Sequence, residues 1–406
     1  MSRWRDKVWG LRVPGLFGAC EERICSYLSG DVKNYFQSNA CFSYCPNHSP
    51  TVTMIVGIEN PLLDISVNCD SELLEKYGLE ANSAILAGPD HLPLYPEIKQ
   101  FPSVFYSAGG ATQNAMRVAQ WMLGGKDVGS RVAYMGCVGN DDNMHKMKQS
   151  VEEEYGVKAV YLVDDSGHPT GTCGVLVSDH GKSRSLVANL GAANHFKKSH
   201  LEAHVSDILD KAQVIYSSGY FITSASDSLQ FLCNYTATSA TRPTFAFNLA
   251  APFICEVDCF RDVLMQTIAF VDVLFGNDAE AEVLAKKLGW ADCDLVGIAQ
   301  KLANLEKKGI SAERKRIVVI TQGSEPTIVA VQGEAAAKLA PIVSVQTDEI
   351  VDSNGCGDAY AGAFLAGVLL HRNLDECAQG AAYAACEVIK RNGCTLPAKS
   401  TFHWSK

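Results

Sequence analysis

The sequence predicts an α/β protein in which a central, mostly parallel sheet is flanked by helices and a smaller α/β unit lies beside it. Short apolar runs typical of buried strands recur along the 406-residue chain, and a helix-compatible segment follows most of them. Repeated β-α units of this kind build parallel sheets that are covered on both faces. Residues 62–111 and 167–191 break the rhythm with Pro- and Gly-rich segments and a hairpin pattern, which predicts the second unit.

The elements follow one another in a simple order. The first predicted strand is Thr51–Ile58, and the later strand-like runs are 131–138, 159–163, 214–218, 244–248, 271–275 and 317–321. Segments 170–177 and 184–190 predict a hairpin. The clearest helical segments are 115–123, 143–155, 281–288 and 359–370.

We expect two domains and two appended segments. The large α/β domain comprises residues 51–61, 112–166 and 192–399, and a small α/β lid domain comprises 62–111 and 167–191. Residues 1–50 show no helical or strand period and end in a breaker-rich linker, so we expect a disordered N-terminal extension. Residues 400–406 form a tail.

Composition excludes several classes of protein. The chain is 47% hydrophobic and 20% charged, it has no apolar run near the roughly 20 residues of a membrane span, and its net charge is −10 without a long basic block. We therefore expect a soluble protein with no membrane or nucleic-acid partner. Fifteen cysteines lie scattered without a Cys-x-x-Cys motif, which favours reduced thiols in the cytoplasm or the nucleus.

The segment most informative about function is Asp352-Ser-Asn-Gly-Cys-Gly-Asp358, which precedes the apolar run 359–370. It predicts a glycine-rich turn that opens into a helix, where free N–H groups and the positive end of the helix dipole meet a carboxylate. Phosphoryl transfer needs such a pair, because donors must hold the transferred group while a base orients the attacking hydroxyl. The alternative is an ordinary glycine-capped helix.

Two motifs in the first third of the chain suggest a site for hydroxyl groups. Gly109 and Gly110 allow close approach of a ligand, and Asn114 presents an amide from the first helical turns. Asn60-Pro-Leu-Leu-Asp64 follows the first strand, and its carboxylate suits two vicinal hydroxyls. The alternatives are a tight turn before a helix and a surface turn.

Two later motifs also follow strands. Asn277 and Glu280 share a helical face and are suited to orient Mg²⁺-bound water or phosphate oxygens, although the same spacing is typical of a capping box. The turn Thr321-Gln-Gly323 offers N–H groups to a nucleotide, although many α/β proteins have such a turn without a ligand.

Taken in the order in which they occur along the chain, the five motifs resemble the ribokinase (PfkB) family of carbohydrate and nucleoside kinases. Segments 169–173, 184–190 and 248–253 further resemble the members that act on adenosine, and the resemblance covers about residues 52–398. It implies a ribokinase-like fold whose large domain binds nucleotide, and transfer of the γ-phosphate of ATP to the 5′-hydroxyl of adenosine. It also implies Mg²⁺ and a monovalent cation as cofactors, adenosine and ATP as small-molecule substrates, and a monomer.

The resemblance also assigns roles at the two ends of the site. Asp358 would take the proton from the 5′-hydroxyl, and the N–H groups of Gly355, Cys356 and Gly357 would form the anion hole. Asp64 would bind the ribose diol. Its assisting residues would be Asn60, Gly109, Gly110 and Asn114, and the apolar walls around adenine would be Leu186, Ala188, Phe221 and Phe253.

On the nucleotide side, the resemblance assigns Arg184, Asn277, Thr321 and Gly323, with Asn277 and Glu280 positioning Mg²⁺ through water. Asp352 would be a monovalent-cation or structural ligand. Cys356 departs from the family, which usually has Ala there, so we expect a thiol beside the phosphates that is open to modification. The rivals are a sugar or other nucleoside kinase of the same fold, a nucleoside-binding regulator without catalysis, and a nucleotide-binding dehydrogenase.

Overall fold

The computed structural model describes residues 54–179 and 183–405. The predictions for residues 1–50, and for the start of the first strand at 51–53, lie outside the described residues. Within the described ranges, no helix is long and apolar enough to cross a membrane.

The strands are those that the apolar runs predict, with several additions. In chain order they are β1 (Met54–Ile58), β2 (Leu62–Asn68), β3 (Ala84–Leu86), β4 (Phe105–Gly109), β5 (Val132–Gly139), β6 (Lys158–Asp164), β7 (Thr172–Ser178), β8 (Ser183–Asn189), β9 (Ala212–Ser218), β10 (Thr244–Asn248), β11 (Val273–Asn277), β12 (Ile317–Gln322), β13 (Glu325–Val331) and β14 (Lys338–Ala340).

The helices occupy most of the connections between strands. In chain order they are α1 (Ser71–Lys76), α2 (Leu94–Ile98), α3 (Ala111–Met122), α4 (Asp142–Gln149), α5 (Lys198–Ala203), α6 (Ile222–Thr238), α7 (Pro252–Glu256), α8 (Asp258–Ile268), α9 (Asp278–Lys287), α10 (Leu295–Ala303), α11 (Cys356–Leu369) and α12 (Leu374–Ile389). The predicted helix 143–155 is realised as α4 and a π-helical turn, Ser150–Glu154.

The larger sheet has nine strands in the order β14-β13-β12-β11-β10-β9-β1-β5-β6. Neighbouring strands from β12 to β6 run parallel, whereas β13 and β14 are antiparallel additions at one edge. Apolar cores cover both faces of this sheet. The predicted fold class, an α/β protein with a mostly parallel sheet, is confirmed.

The smaller sheet has five strands in the order β3-β8-β7-β2-β4. The predicted hairpin is confirmed, because β7 and β8 pair antiparallel from Thr172↔Asn189 to Ser178↔Ser183. The interpretation of 60–64 as a turn is wrong for most of its length, since Leu62 begins β2 after only three connecting residues. The division into a large and a lid domain stays a prediction, because the described residues cluster as one compact unit.

Two helices that cross one face of the larger sheet position the site. Small residues let α3 and α11 approach closely, and a Cβ on Gly362 of α11 would lie 2.2 Å from the carbonyl oxygen of Ala115 in α3. The N-terminal ends of both helices therefore lie side by side, close enough for Asn114 of α3 to contact Asp358 of α11. Beyond α12, the predicted tail packs on this face, and Trp404 Nε1 donates to the Met122 carbonyl at 3.2 Å.

Candidate active site

A cavity with a volume of about 180 Å³ lies between the two sheets. Its walls come from the carboxyl ends of the parallel strands, from the N-termini of α3, α9 and α11, and from β2 and β8 of the smaller sheet. Ligands of open α/β sheets bind at the carboxyl ends of strands. The cavity is therefore where such a fold would hold its substrate.

The carboxylate of Asp358 lies in this cavity, in the first turn of α11. Burial raises its pKa to about 6, against the lowering effects of a hydrogen bond from Asn114 and of the charges on Arg184 and Arg117. A group with this pKa is mostly ionised at neutral pH and is basic enough to accept a proton. Asp358 can therefore act as a general base.

Asn114 holds Asp358 in place, and a buried arginine holds Asn114. The Asn114 Nδ2 donates to Asp358 Oδ2 at 2.9 Å, and the Arg117 Nη2 donates to Asn114 Oδ1 and to the Ala108 carbonyl, each at 2.5 Å. Arg117 is only 1% exposed. Its role was missed from the sequence because it depends on contacts rather than on a motif.

The turn before α11 supplies backbone donors. Gly355 caps the helix with a φ of 78°, a backbone conformation that favours glycine, and a Cβ there would meet Cys394 at 2.7 Å. Gly355 and Gly357 line the cavity, and among the described residues their amide groups have no acceptor. The Cys356 N–H instead makes a long 3.4 Å contact with the Ser353 carbonyl. The geometry thus favours the N–H groups of Gly355 and Gly357 as the hydrogen-bond donors to a bound anion.

Cys356 is the first residue of α11. Its side chain packs against the apolar core and does not line the cavity. Burial raises the pKa of this thiol well above its ordinary value. Because the thiolate is the reactive form, this shift disfavours the modification that the sequence suggested.

At the other end of the cavity, Gly109 makes room for the Asp64 side chain and Gly110 makes room for the Asn60 backbone. A Cβ on Gly109 would lie 2.1 Å from Asp64 Oδ1, and a Cβ on Gly110 would lie 2.4 Å from the Asn60 carbonyl. Burial raises the pKa of Asp64 to about 7, opposed by the charge on Arg117. Asp64 and Gly110 line the cavity, whereas Gly109 does not line it but packs against the Asp64 side chain.

Asn60 also lines the cavity, but its amide is already engaged. Its Oδ1 accepts from Ser224 Oγ at 2.6 Å, and its Nδ2 donates to the Tyr220 carbonyl at 3.2 Å. Asn60 therefore fixes the segment that carries Tyr220, so its role at the site is to position that segment.

The apolar walls differ from the prediction at one residue. Leu186 and Ala188 face the cavity from β8, and Phe253 faces it from the start of α7. Phe221 does not line the cavity. It is fully buried in the core, where its ring centroid lies 5.4 Å from that of Phe196. The neighbouring Tyr220 takes its place, with its ring centroid 6.4 Å from that of Phe253.

Arg184 lies on the same face of β8 as Leu186 and lines the cavity. Its Nε atom is buried and has no acceptor among the residues that the structure describes. Its charge lowers the pKa of both Asp358 and Glu280. A guanidinium so placed is suited to bind a phosphate group.

Asn277 and Glu280 form a capping box, the alternative that their spacing in the sequence allowed. Asn277 Oδ1 accepts from the Glu280 N–H at 2.8 Å, and Glu280 accepts from the N–H and Nδ2 of Asn277 at 3.0 and 2.9 Å. Both residues also line the cavity. Burial raises the pKa of Glu280 to about 7, opposed by the Asn277 N–H and the charge on Arg184.

These contacts are compatible with a hydrated Mg²⁺ ion. Each oxygen of Glu280 accepts one hydrogen bond, which leaves a second lone pair on each for a metal-bound water. Carboxylate oxygen is also the ligand type that Mg²⁺ prefers. The residues therefore fit a cation held through water.

The turn after β12 is only partly in the cavity. Thr321 lines it, whereas Gly323 does not and has a φ of 57° in the turn to β13. Asp352 is 2% exposed, and its two oxygens accept from the N–H groups of Asn354 and Gly393, each at 2.8 Å. Asp352 thus stabilises the turn before α11, which fits a structural role better than a cation ligand.

Glu59 is a further residue that sequence reasoning missed. Its Oε2 accepts from the Thr112 N–H at 2.7 Å, and its Oε1 accepts from Ser218 Oγ at 2.6 Å. The carboxylate therefore joins the end of β1 to the N-terminus of α3 and the end of β9. Its position directly after the first strand was the available signal.

The fold, together with a carboxylate beside a helix N-terminus in a cavity between two sheets, defines an α/β kinase. The model of the pfkB family carbohydrate kinases matches residues 71–401, and the chain belongs to this family. The ribokinase-like fold is thereby confirmed.

The chain is similar to several curated adenosine kinases. It is 41% identical to adenosine kinase 1 of Arabidopsis thaliana, over 86% of this chain and 98% of the plant protein. It is 43% identical to the adenosine kinase of Dictyostelium discoideum, over 84% and 95% of the two chains. Among solved structures, the Anopheles gambiae adenosine kinase in complex with P1,P4-di(adenosine-5) tetraphosphate has a TM-score of 0.78 and 39% identity, over 86% and 99%.

Proposed function

We propose that the protein transfers the γ-phosphate of ATP to the 5′-hydroxyl of adenosine, giving AMP and ADP. The observation that carries the proposal is the position of Asp358, a base with a pKa of about 6 beside the Gly355 and Gly357 amides, which have no acceptor within the described residues. The names of the curated relatives and the family membership support the same activity.

In this mechanism, Asp358 takes the proton of the 5′-hydroxyl as its oxygen attacks the γ-phosphorus. A new O5′–P bond forms, and the bond from phosphorus to the bridging oxygen of ADP breaks. The amides of Gly355 and Gly357 and the guanidinium of Arg184 stabilise the charge on the transferred group. When bound through Asn277 and Glu280, Mg²⁺ would neutralise charge on the phosphates.

Substrate choice depends on the opposite end of the cavity. Asp64 is suited to accept hydrogen bonds from the 2′- and 3′-hydroxyls of ribose, while Leu186, Phe253 and Tyr220 offer apolar and aromatic surface to a purine. A simple sugar would leave these walls unfilled, which favours a nucleoside over a sugar as acceptor.

We further propose that the protein acts as a monomer in the cytoplasm or nucleus. Nucleotide binding at Thr321 and Gly323, a role for a monovalent cation, and movement of a lid made by 62–111 and 167–191 also remain proposals. Lid closure would exclude water from the transferred phosphoryl group.

A coupled assay of ADP release tests the proposed activity. Adenosine, guanosine and ribose are compared as acceptors, each with and without Mg²⁺. We expect kcat/KM to be highest for adenosine and turnover to need Mg²⁺. Faster turnover of ribose or guanosine would assign a different kinase, and adenosine binding without ADP release would indicate a regulator.

A further inference from the structure

Two histidines meet where the chain passes between the two sheets. Residues 165–171 connect β6 of the larger sheet to β7 of the smaller one, and the segment after β8 returns to the larger sheet. His168 lies in the first connection and His195 in the second. Their rings stack with centroids 3.8 Å apart and an interplanar angle of 22°.

A carboxylate completes the group. Asp164, the last residue of β6, has its Oδ2 atom 2.8 Å from His168 Nδ1. Ser166 donates to Asp164 Oδ1 through its N–H at 3.0 Å and through its Oγ at 2.5 Å. One ligand atom each from Asp164, His168 and His195 lies within 4.8 Å of the others.

We propose that Asp164, His168 and His195 bind a divalent transition metal such as Zn²⁺. Two imidazoles and a carboxylate suit Zn²⁺, Co²⁺ or Ni²⁺, whereas Mg²⁺ and Ca²⁺ prefer sites made only of oxygen. Three protein ligands are enough for a tetrahedral ion whose fourth position holds water.

Metal binding requires the two imidazoles to leave their near-parallel stack, because each ring nitrogen offers its lone pair in the plane of its own ring. Metal–ligand bonds of about 2.1 Å in a tetrahedron place ligand atoms about 3.4 Å apart, so the three atoms must draw together. The side chain of His168 is 46% exposed and has room to rotate, whereas that of Asp164 is 13% exposed and is held by Ser166. Asp164 therefore provides a fixed anchor for the ion.

A bound metal would tie the two connections together. Asp164 and His168 come from the first connection and its strand, and His195 comes from the second, so the ion would bridge segments that no disulfide joins in the described part of the chain. This site lies apart from the cavity and does not depend on the proposed kinase activity.

Titration of the chelator-treated full chain with Co²⁺ tests the proposal. We expect one equivalent of Co²⁺ to give the visible bands of nitrogen and oxygen ligation, and Zn²⁺ to displace it. Because the chain has fifteen cysteines, a thiolate-to-cobalt charge-transfer band at the first equivalent would assign the metal to thiols and overturn the proposal.

Variants locate the bound ion. His168→Ala and His195→Ala should each weaken Co²⁺ binding about 100-fold or more, since even residues behind the ligands contribute 10- to 100-fold. His168→Gln, a milder change at a half-exposed position, should do the same with an unchanged melting temperature. His145→Ala, which removes an exposed histidine on α4, should leave binding as it is. Wild-type affinity in the His168→Ala/His195→Ala variant would refute the site.

Discussion

Removal of the Asn114 side chain should shift the pH dependence of turnover to higher pH. The Asn114 Nδ2 donates to Asp358 at 2.9 Å, and this hydrogen bond lowers the pKa of the carboxyl group. A hydrogen bond to a charged group contributes about 1.5–3 kcal/mol, which corresponds to roughly one to two pKa units. In Asn114→Ala the pKa of Asp358 should therefore rise from about 6 toward 7 or 8.

The direction of this shift in the pH dependence follows from the role of Asp358 as the base. Turnover needs Asp358 ionised and is lost as pH falls through its pKa, so a raised pKa moves this loss to higher pH. The assay is kcat for adenosine between pH 5 and pH 9, measured by coupled ADP release.

The matched control is Asn304→Ala. Asn304 also makes two hydrogen bonds, to Gly333 and Gln300, but it lies on the surface away from the cavity. Its acid limb should equal that of the wild type. An unmoved acid limb in Asn114→Ala, or one moved to lower pH, would refute the role assigned to this hydrogen bond.

Two further substitutions test the adenosine end of the cavity. Gly109→Ala places a Cβ 2.1 Å from Asp64 Oδ1 and should raise the KM for adenosine about 10- to 100-fold through loss of the diol contact; Gly88→Ala, whose Cβ meets nothing closer than 3.6 Å, should not. Tyr220→Ala should raise that KM roughly tenfold by removing a stacking surface. By contrast, Phe221→Ala should mainly lower the free energy of unfolding in urea, by about 3–5 kcal/mol. A normal KM in Gly109→Ala, or a larger KM effect at Phe221 than at Tyr220, would contradict these assignments.

The sequence was sufficient to predict the parts of the site that lie in contiguous motifs. Gly355, Gly357 and Asp358 are joined by a turn and the start of a helix, so their proximity follows from local geometry alone. The parallel sheet could also be predicted from the sequence, since each buried strand is a continuous apolar run. Among the antiparallel edge strands, β14 is only three residues long and carried no such signal, whereas β13 contains the apolar run 328–331 and was missed.

Contacts between distant segments could not be read in the same way. Arg117 acts through Asn114 on Asp358, a chain of contacts set by the packing of α3 against α11. The exchange of Phe221 for Tyr220 has a related cause. Both lie in one short 3₁₀ turn, Gly219–Phe221, and only tertiary structure decides which ring faces the core.

The most direct test of the proposed mechanism is the effect of Asp358→Ala on turnover and on adenosine affinity, measured on the same preparation. A general base contributes roughly 10²- to 10⁴-fold, so kcat should fall by that factor. The dissociation constant for adenosine, from calorimetry, should stay nearly unchanged because Asp64 and the apolar walls remain. A kcat close to that of the wild type, or an equal loss of turnover and affinity, would contradict the assignment of Asp358 as the base.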